Sequence, residues 1–146
     1  MGMHRFAGKW AGQYTFGDGY SDKLKEVSVP FSLIMQVESG IIKGTCIDEG
    51  YADFENPAII KGTIEAQYIE FTKQYPYRWY LEKDGTVVYQ KDRRSQEVLY
   101  LGEFRNNVFA GKWGIYSKQI LEDGTKVDKI LQGHWIMHKD EFPQSF

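Results

Sequence analysis

Phe6-Ala7-Gly8-Lys9-Trp10 returns letter for letter as Phe109-Ala110-Gly111-Lys112-Trp113, and its Gly-x-Trp core comes a third time as Gly133-His134-Trp135. Side chains alternate faces along a strand, so a glycine and a tryptophan two apart share one face. The missing side chain leaves room for an indole where the sheet bends. The repeat therefore predicts a β-barrel. The chain after Trp113 is too short for a duplicated half-domain, so one strand opening is reused.

Working outward, residues 8 to 17 place Gly8, Trp10, Gly12, Tyr14 and Phe16 on one face against Lys9, Gln13 and Thr15 on the other, the period of a half-buried strand. Residues 27 to 38 repeat the pattern, with Pro30 suiting a strand start or edge, and Ser39-Gly40 turns the chain. Further strands are predicted at 41 to 48, 58 to 65, 68 to 75, 77 to 82, 86 to 91, 97 to 104, 108 to 117 and 129 to 138. That makes ten, or eight if the middle pair merge. Only residues 20 to 26 and the tail near Asp140 to Phe142 could hold a helical turn, both too short to be helical alone. The expected fold is all-β: a single up-and-down antiparallel β-barrel of eight to ten strands over residues 1–146, with residues 1–5 a flexible N-terminus.

The chain has 146 residues, enough to bury a core as one domain without staples. Aromatic residues make up 16%, with 10 Tyr and 9 Phe, and 15 Gly suit many short strands and tight turns. The formal charge of −2 comes from interspersed acids and bases, leaving no footprint for nucleic acid. The single Cys46 excludes an internal disulfide framework and suits a reducing compartment, so a cytoplasmic location is expected. No apolar run is long enough for a signal peptide or a membrane span, so no membrane partner is expected.

Short turns fall near 39 to 40, 65 to 67, 83 to 85 and 105 to 107, and longer loops near 18 to 26, 49 to 57, 92 to 96 and 117 to 128. In a meander the long loops then gather at one end, the mouth, and the short turns at the other. The interior of such a barrel either fills with side chains or holds one small ligand.

On Phe6 through Trp10, the meander, and Gly-x-Trp at 111 to 113 and 133 to 135, the chain resembles the calycin-like barrels: lipocalins, fatty-acid-binding proteins and avidins. The resemblance covers nearly the whole chain as a pattern and implies the fold. It does not imply a ligand. Where an avidin-type barrel would carry an Asn and a Gly-Ser after the first Trp, Ala11-Gly12-Gln13-Tyr14 stands here; the Arg-x-Tyr of fatty-acid-binding proteins is absent from Gly133 to His138, and one cysteine cannot form lipocalin disulfides.

Projected inward, Tyr14, Asp48, Lys73, Tyr75, Tyr77, Trp79, Tyr100 and Trp135 are the candidate ligand-binding residues: aromatic bodies with polar tips, and two inward charges. Asp48 and Lys73 pair with each other or anchor a ligand head, unless both sit at strand ends and face water. Tyr75-Pro76-Tyr77-Arg78-Trp79-Tyr80 is the densest aromatic stretch, readable as a ligand wall or as a bend with Arg78 in solvent. His134 and His138 lie about 13 Å apart on a strand, too far to share an ion, so no metal is expected. The acidic loop from Asp48 to Glu55 lacks the oxygen spacing of a calcium site, and Gly17-Asp18-Gly19 reads as a turn. Cys46 faces an apolar interior and reads as an inert thiol, and no catalytic motif or cofactor-binding loop is present, so no catalytic residue and no cofactor are assigned.

Three functions fit. The first is a protein holding a small, partly apolar or aromatic ligand in the open end of the barrel. The second is a barrel enzyme using Asp48, Lys73 and Tyr77 as acid-base groups. The third is a solid-core interaction module that buries Ile59, Tyr68, Leu99, Leu101, Tyr116 and Ile136 against another subunit. Those outward apolar residues lead to the expectation of a homodimer.

Overall fold

The polar-apolar alternation read along the chain becomes ten strands and one helical turn. A computed structural model describes residues 5–17, 19–49 and 54–140, the side chains of 117–120 and 129 excepted. The expected turns at Asp18 and at Glu141–Phe142, the acidic-loop residues 50–53 and the N-terminal residues 1–4 lie outside the described residues. The elements are β1 (Gly8–Phe16), α1 (Asp22–Lys25), β2 (Ser28–Glu38), β3 (Ile41–Asp48), β4 (Ala58–Glu65), β5 (Tyr68–Gln74), β6 (Arg78–Leu81), β7 (Val87–Gln90), β8 (Glu97–Arg105), β9 (Val108–Ile120) and β10 (Lys126–Lys139).

Eight of the strands close an antiparallel barrel in the order β1-β10-β9-β8-β5-β4-β3-β2, and β6 and β7 pair only with each other as a separate two-stranded ribbon. This is the calycin-like architecture expected from the sequence, with the lower of the two strand counts. The middle pair does not merge into the barrel; it leaves it. Pro76, which has no N–H for a ladder, follows the end of β5. The neck of the ribbon is then held by Tyr75 N–H donating to Ser95 Oγ at 3.2 Å, Gln74 Nε2 donating to Ser95 O at 3.2 Å, and Arg78 N–H donating to Arg93 O at 3.0 Å. β5 therefore pairs directly with β8, Phe71 opposite Tyr100.

The repeated Gly-x-Trp motif does its work across strands. In the β9–β10 pairing Gly111 stands opposite Trp135 and Trp113 opposite Gly133, so the two copies interlock head to tail. A Cβ on Gly133 would stand 2.6 Å from the Trp113 indole nitrogen, and one on Gly102 would stand 2.5 Å from the Trp135 ring. At Gly133 and Gly102 the freed space is thus taken by an indole of another strand, whereas Gly111 faces the backbone of Leu101 and Gly8 the side chain of Lys139. Trp10, Trp113 and Trp135 are 1%, 4% and 2% exposed, which puts all three inside the barrel. Their N–H groups are already used: Trp10 donates to Phe6 O, Trp113 to Thr15 O, and Trp135 to Leu101 O and Lys112 O.

Two-residue turns with both residues left-handed, Ser39-Gly40 (φ 51° and 79°) and Asn106-Asn107 (φ 54° and 68°), join strands at one end. That end is solid. Phe6, Trp10, Phe104 and Phe109 pack ring against ring with centroids 5.0–6.3 Å apart. Arg5 lies over Phe6 and Phe104, and Lys139 caps the plug by donating to the carbonyls of Arg5 and Ala7. Arg5 thus packs on this end of the barrel.

Two expectations about connections need correction. The stretch 117 to 128 is not a loop: β9 runs to Ile120, β10 starts at Lys126, and Leu121 N–H donates to Thr125 O at 2.8 Å across a tight turn. The turn at 83 to 85 lies at the mouth, because it caps the ribbon; there Ser21 Oγ donates to Lys83 O at 3.0 Å. Counting turns alternately up and down fails once two strands step out of the meander.

Candidate functional site

The upper half of the barrel is built differently from the floor. Lys73 on β5 and Asp48 at the end of β3 point inward on alternation, and their side chains are each 1% exposed. Lys73 Nζ meets Asp48 Oδ1 at 2.5 Å, while Asp48 Oδ2 accepts from Tyr14 Oη at 2.9 Å and from Tyr75 Oη at 2.5 Å. The ammonium stands 4.9 Å from the Tyr75 ring centre and 5.1 Å from that of Tyr14, with Phe31 and Tyr100 at 5.8 and 5.7 Å. The pair is therefore caged by aromatic rings. Of the readings open at the start, pairing between Asp48 and Lys73 is the one observed.

Burial would lower the Lys73 pKa, but Asp48 against it holds the ammonium well above its ordinary value. Burial also raises the phenols of Tyr14, Tyr75 and Tyr100, with the Asp48 charge adding to each, and pushes the Cys46 thiol up to about 11. None of these five tyrosine, lysine and cysteine groups changes its proton near neutral pH. Acid-base chemistry by Asp48, Lys73 and Tyr77 would also need the three to meet in a wet cavity. Asp48 and Lys73 meet with both side chains buried, and the Tyr77 ring packs instead on Phe54 and Tyr89 at 5.1 and 6.1 Å.

Above this cluster lies a cavity of about 550 Å3, between the barrel mouth, the β6–β7 ribbon and the segment around α1. Tyr14, Tyr75 and Tyr100 form its floor, their rings separating it from the ion pair below. Phe16, Tyr20 and Trp113 form one side, with centroids 4.8–6.0 Å apart, and Leu24 of α1 and Ile115 close in beside them. Trp79, Leu81 and Arg78 of the ribbon form the other side, Trp79 standing edge-on to Tyr75 at 5.3 Å. Ser95, Gln96 and Lys83 supply the remaining polar edge.

Of the eight candidates, Tyr14, Tyr75, Trp79 and Tyr100 line this cavity. Asp48 and Lys73 lie beneath the floor, Asp48 instead bordering a second cavity of about 100 Å3 beside Phe54 and Pro57. Tyr77 does not line the main cavity: it precedes β6, and its ring packs on Phe54 and Tyr89 instead. Trp135 does not either: its ring leans on Phe71 and Tyr100 at 5.7 and 5.5 Å, deeper in the barrel. Arg78, readable as a solvent-facing residue, lies in the cavity wall. Tyr20 and Leu24 were missed as wall residues: Tyr20 lies in the bend before α1 and Leu24 is the buried residue of α1, and their approach to the cavity depends on how that segment folds over the mouth.

No family model and no curated protein matches the chain. Among solved structures its fold is similar to that in a crystal structure of rhizavidin, with 12% sequence identity and a TM-score of 0.47, over 93% of this chain and 87% of that one.

Proposed function

We propose that this chain binds a small, partly aromatic molecule in the cavity between the barrel mouth and the β6–β7 ribbon. The observation that carries it is the cavity itself: about 550 Å3 walled by Tyr14, Tyr20, Tyr75, Trp79, Tyr100 and Trp113, above a lower half that is packed solid. That volume is in the range of small-molecule sites, and rings supply contact area at little entropic cost. The ion pair beneath works as structure, locking the floor tyrosines through Asp48.

A neutral fluorescent probe, N-phenyl-1-naphthylamine, tests this. It is expected to bind saturably at one site per chain, and Trp79→Ala is expected to weaken it about tenfold, the size of one lost aromatic contact. A signal that never saturates, or one indifferent to Trp79→Ala and to a cavity-filling Ile115→Trp, would contradict the reading.

For assembly, we propose a homodimer through the outer sheet face. Ile59, Tyr68, Leu99, Leu101, Tyr116 and Ile136 all stand exposed there, which supports an apolar contact. Light scattering should give twice 17.0 kDa; the mass of a single chain would refute it.

A further inference from the structure

We propose that the molecule held in the mouth cavity is a flat aromatic anion, its ring among Trp79, Tyr75 and Trp113 and its acid group at Arg78. This inference rests on the small-molecule reading above and adds the charge of the ligand.

The charge distribution supports it. The chain as a whole carries a formal −2, with Asp and Glu outnumbering Lys and Arg by 20 to 18. The cavity reverses this: among the described residues its wall holds Arg78 and Lys83 and neither an Asp nor a Glu. Asp48 lies under the floor with both oxygens engaged, Oδ1 by Lys73 and Oδ2 by Tyr14 and Tyr75, so it does not neutralise the wall.

Arg78 also differs from the other cations that pack against this barrel. Lys73 has Asp48 and an aromatic cage, Lys139 has two backbone carbonyls and the Trp10 ring, and Arg5 lies over Phe6 and Phe104. The Arg78 side chain, partly buried in the wall, has neither a carboxylate nor a ring as partner among the described residues, and its Nε is buried with no hydrogen bond. A guanidinium taken partly out of water without a partner costs free energy, which an arriving anion returns. Its planar fork matches a carboxylate, sulfonate or phosphate, and Ser95 and Gln96 border the same cavity. The surrounding rings suit a flat body over an aliphatic chain.

The test uses an isosteric pair: 2-naphthoate and the neutral 2-naphthalenemethanol, titrated by calorimetry into the full chain. Naphthoate is expected to bind at least tenfold tighter, with affinity falling as salt rises. Arg78→Gln should remove at least tenfold from naphthoate and several-fold less from the alcohol. Equal affinities for the two in the unaltered protein would overturn the charge assignment while leaving the cavity reading intact, and this comparison needs no variant to fold. Equal loss of both on Arg78→Gln would likewise overturn it. Binding of neither compound would overturn both readings together.

Discussion

Replacing Lys73 with Met is expected to lower the unfolding free energy by about 3–5 kcal/mol, because it leaves the Asp48 carboxylate buried with no cation. Asp48 and Lys73 are each 1% exposed and touch at 2.5 Å. Taking either away strands the other in a cage of rings. Asp48→Leu should cost a comparable amount, since it strands the ammonium and removes the acceptor shared by Tyr14 and Tyr75. Removing both charges at once, Asp48→Leu with Lys73→Met, leaves no unpaired ion, and the surrounding aromatic and apolar residues can close on it. Its cost should therefore fall short of the sum of the singles by at least about 2 kcal/mol. Urea unfolding of the four proteins gives the coupling directly. Strict additivity would mean that the two charges are independently solvated, contrary to the geometry.

Stability is expected to collapse on the alkaline side. Lys73, Tyr14, Tyr75, Tyr100 and Cys46 all hold their protons more tightly in the fold than their ordinary values near 10.5, 10.0 and 9.0. As pH rises past those ordinary values the unfolded chain releases protons that the folded chain keeps. The unfolded state then binds fewer protons, so unfolding free energy falls with pH. Cys46 contributes first, between about pH 9 and the folded value of about 11. The three tyrosines and Lys73 join near pH 10 to 10.5, each removing up to ~1.4 kcal/mol per pH unit. Against a total stability of about 5–15 kcal/mol, that combined slope unfolds the protein within one or two further pH units. A thermal melt series should be level from pH 6 to about 8.5, decline gently to about 10 and then drop steeply. A melting temperature unchanged between about pH 9 and 11 would show that these groups are not held as described.

The strands were legible because the sheet has one wet and one dry face, which writes a two-residue period into the chain. Gly8 to Phe16 and Val29 to Val37 show it plainly, and the observed ends lie within one residue of the expected ones except at the turn between β9 and β10, where both strands run further. Closure was legible in outline from the tryptophans. Which glycine hosts which indole was not, because that depends on register between β9 and β10, a relation between distant positions. The departure of β6 and β7 had a local sign in Pro76, but the pairing of β5 with β8 that replaces them is non-local. Alternation predicted the inward course of Tyr14, Asp48, Lys73 and Tyr100 correctly. It stopped being a guide after the Pro76 bend, where the ribbon leaves the barrel: Tyr77 lies outside the cavity, while Arg78, Trp79, Tyr80 and Leu81 in succession are in its wall. Depth is the other quantity that a period cannot supply: Trp135 faces inward as expected yet packs beneath the cavity, against Phe71.

The barrel is solid below and open above, with the ribbon forming one wall of its cavity and Arg78 giving that wall its charge. Crystals soaked with 6-bromo-2-naphthoate test this through the anomalous signal of bromine. One bromine peak per chain is expected between Trp79 and Trp113, with the carboxylate turned to Arg78. A mouth filled by its own side chains, with no bromine peak inside the barrel, would contradict it.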